Sequence, residues 1–210
     1  MPEPLDARER RELCDLFGDL GPDAPTLCEG WVTKDLAAHL VVRERRPQAA
    51  PGILLGGPFA RLLERAMDRA RAKGYDELVE LVRNGPPLGP FAVPGLRKVI
   101  NLNEYAVHHE DVRRANGLGP RTERPDLEVA LWSLLRRGAR FQLRKVSGVQ
   151  VVLCRPDGDE VRVGSGPEVI INGDPLEIVL YLMGRKGAAE ITLTGDPAAV
   201  TVLESSPLGI

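Results

Sequence analysis

Several absences narrow the field before any motif is read. Cysteine is rare: Cys14, Cys28 and Cys154 are an odd number, and no two of them form a Cys-x-x-Cys pair. That argues against a disulfide framework and a zinc ribbon, and reduced thiols in a cytoplasmic protein are the expectation. Aromatic residues make up only 4% of the 210 positions, so Leu, Val, Ile and Ala must fill most of the core. Neither sign of charge dominates: 28 Lys and Arg stand against 30 Asp and Glu, a formal net charge of -2. No overall pull toward nucleic acid follows. No apolar run approaches membrane-spanning length. The acidic start, Met1-Pro-Glu-Pro-Leu-Asp6, lacks the apolar stretch of a secretory signal.

What is present divides at about residue 147. Before it, helical periodicity dominates. Residues 5–20 place Leu13, Leu16, Phe17 and Leu20 on one stripe behind a candidate cap, Asp6, and Gly21-Pro22 ends the helix. A second helix runs from a cap at Thr33 to about Arg46. After an apolar, breaker-rich loop at 51–58, helix signals resume at 59–74 and again from Asp76. Residues 85–95 hold four prolines and three glycines and form a long connection. Helices are expected at 96–116 and, capped by Asp126, to about Phe141; the outer face of the latter carries Arg136, Arg137, Arg140, Arg144 and Lys145 and reads as solvated. After Ser147 the expected order is β-β-β-α-β-α. Residues 1–146 therefore read as a helical domain and 147–210 as a small α+β domain, a mainly α plus α+β fold.

Histidine is as scarce as cysteine, with three in the chain, and they are not scattered. His39 sits among Leu36, Ala37, Leu40 and Val41, where an unpaired imidazole would be costly to bury. His108 follows Glu104 by four residues, so on a helix the two side chains share a face one turn apart and can grip one metal ion. Glu-x-x-x-His by itself is equally compatible with a surface ion pair. Two imidazoles and a carboxylate suit a divalent transition metal such as zinc, and three protein ligands leave positions open for water or substrate. His109 points about 100 degrees away from His108 and reads as a polar residue at the rim. Asp111, three residues past His108, can orient its imidazole. Glu44 and Arg43 lie a turn past His39, lining the mouth of a site or pairing with another helix. Arg43, Arg45 and Arg46 are candidates to hold an acidic substrate or cofactor.

These residues also carry a resemblance. Leu27-Cys-Glu-Gly-Trp-Val-Thr-Lys-Asp-Leu-Ala-Ala-His39-Leu resembles the Pro-Gly-Trp-x-x-x-Asp-[Leu/Val]-x-x-His-[Leu/Val] signature of the mycothiol-dependent maleylpyruvate isomerase metal-binding domain, one of the DinB-like four-helix bundles. Glu104-x-x-Val107-His108-x-x-Asp111 resembles its second motif. Gly173-Asp-Pro-Leu-Glu-Ile-Val-Leu-Tyr-Leu-Met-Gly-Arg185 is similar to the C-terminal domain of the same proteins, which has a sterol-carrier-like fold. The resemblance implies His39, Glu104 and His108 as ligands of a divalent metal, zinc in that family, and mycothiol as the thiol cofactor that the metal activates. It does not extend to residues that would hold maleylpyruvate.

Two function classes follow. One is a metal-dependent thiol transferase or isomerase, whose partners are a small-molecule thiol and an electrophilic substrate, with no nucleic acid and no membrane, as a possible homodimer. The other is a non-catalytic metal-binding sensor or ligand-binding protein, with the loops at 51–58 and 85–95 as lids or contact surfaces. Metal-assisted hydrolysis without a thiol is a third option.

Overall fold

The computed structural model describes residues 3–45, 58–86 and 94–209. Most of the expected loop at 51–58, residues 87–93 of the expected connection, and Arg46 lie outside the described residues. Among those described, the chain is rich in helix with one small four-stranded sheet, in agreement with a mainly α plus α+β fold. No described helix is long and apolar enough to cross a membrane.

The chain divides into two compact units, Met1–Arg121 and Thr122–Ile210. The first holds α1 (Leu5–Leu20), α2 (Thr33–Arg45), α3 (Pro58–Arg71), α4 (Tyr75–Arg83) and α5 (Pro94–Ala115). α1 packs on α4 and α5, and α2 packs on α3 and α4. Their shared core includes Leu13 and Phe17 of α1, Leu36 and Leu40 of α2, Leu78 of α4 and Tyr105 of α5, all fully buried. Each such leucine stabilises the fold by roughly 1.5–3 kcal/mol.

Three expected caps are corrected. Asp126 lies inside the first turn of its helix, whose cap position is Arg124. Asp6 lies inside the first turn of α1, whose cap position is Pro4 with no side-chain hydrogen bond; its charge there still suits the positive end of the helix. Thr33 is the first residue of α2, and Asp35 reaches back to accept the Val32 N–H at 3.1 Å. α1 does end as expected, with Gly21 at φ 78° donating its N–H to Phe17 O.

α5 is set apart by the polar residues it buries. From Tyr105 to Asp111 every residue is buried, so it is surrounded on all sides. Four of those seven residues are His108, His109, Glu110 and Asp111, and in such surroundings each needs a polar partner.

The second unit holds α6 (Pro125–Gln142), β1 (Gln150–Cys154), β2 (Glu160–Gly164), β3 (Glu168–Asn172), α7 (Pro175–Leu182), β4 (Thr192–Gly195) and α8 (Pro197–Ser205). The β-β-β-α-β-α order is as expected. The sheet order is β2-β1-β3-β4, with β1 antiparallel to β2, parallel to β3, and β3 antiparallel to β4. Gly166, at φ 125°, lets the chain cross from β2 to β3: a Cβ there would stand 2.5 Å from Gly148 O. The boundary expected near residue 147 marks the change from helix to strand pattern, but the packing divides the chain earlier. α6 belongs with the sheet because it packs on α7 and β2.

Candidate metal centre

α2 and α5 supply the groups. On α2, His39 follows the stripe of Leu36 and Leu40 and is tilted against the Trp31 ring, with centroids 5.3 Å apart. On α5, Glu104 and His108 stand one turn apart, as their spacing predicts. His39 Nε2 lies 3.1 Å from Glu104 Oε1, and His108 Nε2 lies 3.3 Å from the same oxygen. The two imidazoles meet edge to face, 5.4 Å between centroids. The side chains of His39 and Glu104 keep 15% and 16% of their surface accessible, so the cluster is lined by protein yet reachable.

The far side of His108 is fixed. Its Nδ1 lies 2.9 Å from Asp111 Oδ2, and Asp111 is fully buried. A carboxylate on Nδ1 holds a proton there, sets the ring orientation and turns Nε2 toward Glu104. Cys28 Sγ donates to the same Asp111 oxygen at 3.3 Å and lies 4.0 Å from His108 Nδ1. The loop that carries Cys28 is tied to α5 by Leu27 N–H to Asp111 O at 3.1 Å. Cys28 thus stands behind the imidazole, on the Asp111 side.

Electrostatics follow from burial and partners. Burial alone would raise the Glu104 carboxyl, but hydrogen bonds from His108 and His39 and the Arg43 charge hold it well below the usual range. Burial disfavours a charged His108, yet its bonds to Asp111, Cys28 and Glu104 outweigh that and hold its pKa well above the ordinary value. His39 is pushed down, first by burial and then by His108 beside it.

Arg43 turns into the site, its Nε 3.1 Å from Glu104 Oε1. Glu44 turns away from it, buried and ion-paired to Arg10 at 2.6 Å, so of the two readings for Glu44 the pairing one describes it. Arg45 donates to the carbonyls of Leu81 and Gly85. Asn101, Glu104, His108 and Asp111 share one face of α5, as their spacing predicts.

His109 faces the other way. Its Nδ1 lies 3.5 Å from Glu9 Oε2, inside a buried group with Arg121 and Glu110. It is 4% exposed, so it is an interior residue, not the rim residue expected.

Among the described residues three sets place one donor atom each within 4.8 Å of one another: His39, Glu104 and His108; Cys28, His108 and Asp111; and Glu9, Glu12 and His109. The first has the donor chemistry of a divalent transition metal, with both imidazole Nε2 atoms turned to one carboxylate. The residues present fit such an ion.

Comparison with solved structures supplies the rest. A crystal structure of the mycothiol-dependent maleylpyruvate isomerase matches with a TM-score of 0.60 at 19% identity, covering 90% of this chain and 89% of that one. The chain has that isomerase's fold. A histidine-to-alanine mutant of the isomerase matches over the same shares at a TM-score of 0.52 and 18% identity. No family model and no curated protein matches the sequence. The fold thus agrees with the family resemblance carried by the residues around His39, Glu104 and Gly173.

Proposed function

We propose that this protein is a divalent-metal-dependent enzyme that uses a low-molecular-weight thiol, mycothiol or a close analogue, to transfer onto or isomerise a small electrophile. The observation that carries the reading is the convergence of His39 Nε2 and His108 Nε2 on one Glu104 oxygen, at 3.1 and 3.3 Å, in a partly open buried cluster. His39, Glu104 and His108 would hold the ion, and zinc suits them. Bound there, it would supply positive charge that lowers the pKa of a thiol.

The chain's own residues do the rest. Asp111 accepts the His108 Nδ1 proton and fixes the ring. The walls of α2 and α5 exclude bulk water, which strengthens each charge interaction inside. Arg43 places a fixed positive charge beside the cluster. No cysteine of the chain is needed as nucleophile: Cys14 is buried, its thiol pushed up to about 12 by that burial, and Cys28 stands on the Asp111 side of His108. In this reading the helical unit corresponds to a DinB-like four-helix bundle and the sheet unit to a sterol-carrier-like domain, and the protein works in the cytoplasm.

The test is thiol-dependent turnover by zinc-loaded protein. Consumption of an electrophile such as a cis-configured unsaturated diacid with mycothiol, and none without it, is expected. Bound zinc with no consumption would replace the enzyme by a metal-binding sensor, and turnover without thiol would replace it by a hydrolase.

A further inference from the structure

A second polar network lies against the cluster, and beyond Arg43 and Glu104 no part of the thiol reading uses it. Glu44, 3% exposed on α2, accepts both Arg10 amino groups, at 2.6 and 2.7 Å. Its Oε1 also accepts the Tyr105 hydroxyl at 2.8 Å and the Asn101 amide at 3.3 Å. The other end of that amide, Asn101 Oδ1, accepts Arg43 Nη1 at 2.9 Å. Arg43 in turn brings its Nε to Glu104. Three helices are thus linked in one line, from Arg10 on α1 through Glu44, Asn101 and Arg43 to Glu104.

The residue type at 101 is what the line requires. An amide offers a donor at one end and an acceptor at the other, so it can join a carboxylate to a guanidinium. Aspartate would set a second carboxylate against Glu44, and leucine would leave both neighbours short of a partner in a fully buried place. Glu44 itself is immobilised by Arg10, which also donates to Val82 O at 2.7 Å.

We propose that Asn101 is a positioning residue: anchored on Glu44, it holds the Arg43 guanidinium, and through it the Glu104 carboxylate, in the orientation that a cation shared with His39 and His108 needs. The proposal rests on the metal reading of that cluster. Partners one step behind a ligand typically change metal affinity by about 10–100-fold when removed.

The test pairs Asn101→Leu with Arg43→Gln, a change at a less buried position should the first fail to fold. Zinc dissociation constants are measured by chelator competition, and the Arg43 Nε–H resonance is followed by NMR in metal-free protein, assigned by its loss in Arg43→Gln. The expected result is zinc binding weakened about tenfold in both variants, with the Arg43 resonance displaced in Asn101→Leu. Zinc affinity within twofold of the unsubstituted protein in both variants overturns the proposal. If the unsubstituted protein itself binds no zinc, the metal reading falls. The resonance then decides alone: displaced by Asn101→Leu, the hold on Arg43 stands; undisplaced, it does not.

Discussion

α5 carries two histidine–carboxylate clusters back to back, and they differ in what supplies the positive charge. Around His108 the carboxylates of Glu104 and Asp111 are balanced by Arg43 and by a proton that the site itself holds on the imidazole. Around His109 the carboxylates of Glu9 and Glu110 are balanced by guanidinium groups that never lose their charge: Arg121 binds Glu9 at 2.7 Å and Glu110 at 2.6 Å, and Arg114 binds Glu110 at 2.8 Å. Burial and the Arg121 charge push His109 down, toward the neutral form. A proton can be exchanged for a metal ion; a packed arginine cannot leave without exposing two buried carboxylates. Two clusters of similar composition thus read as a cation site on one face and a structural tie on the other.

The largest expected effect breaks the first cluster. His39→Ala should remove zinc while leaving the fold in place, since His39 is only partly buried; metal content by elemental analysis checks it, and full loading would mean the ligand set is wrong. Next, Arg121→Ala should destabilise the protein by about 3–5 kcal/mol, because it takes the guanidinium away from buried Glu9 and leaves buried Glu110 with Arg114 alone. Denaturant unfolding measures that loss, and zinc affinity should stay near its starting value. Asp111→Ala should weaken zinc by about 10–100-fold through a freed imidazole.

A pH series sharpens the contrast. The raised His108 pKa means that the proton stabilises the metal-free fold fully below the ordinary histidine value of about 6.5, and that this contribution is lost as pH rises through the raised value. Zinc must displace that proton, so its binding releases protons and tightens with pH. The rise in melting temperature on adding zinc should therefore be greater at pH 8.5 than at pH 6, roughly a histidine's range; an equal rise at both would place the ion elsewhere. The smallest effect is expected from His109→Ala on zinc: affinity within about twofold, with any change confined to stability, because the Glu9–Arg121 pair remains.

How much of this was legible in the chain depends on distance along it. Glu104, His108 and Asp111 could be grouped because helical spacing puts them on one face, and His39 because an imidazole inside an apolar stripe demands a reason. The lines from Arg10 to Glu44 and from Glu9 to Arg121 could not, since they join residues 34 and 112 positions apart and no local pattern encodes such pairing. A signal existed in principle: Glu9, Glu44 and Asn101 are polar residues at positions that bury completely or nearly so. Residue type suggests Asp6 as a cap, though Pro4 takes that position. The change of pattern near residue 147 suggests a boundary there, although α6 packs with α7 and β2, contacts that periodicity alone cannot assign to a partner.

Anomalous diffraction from crystals grown with equimolar zinc tests the central claim most directly. The account predicts a single strong peak bounded by His39 Nε2, Glu104 and His108 Nε2. A peak between Glu9, Glu12 and His109, or no peak on α5 at all, would contradict it.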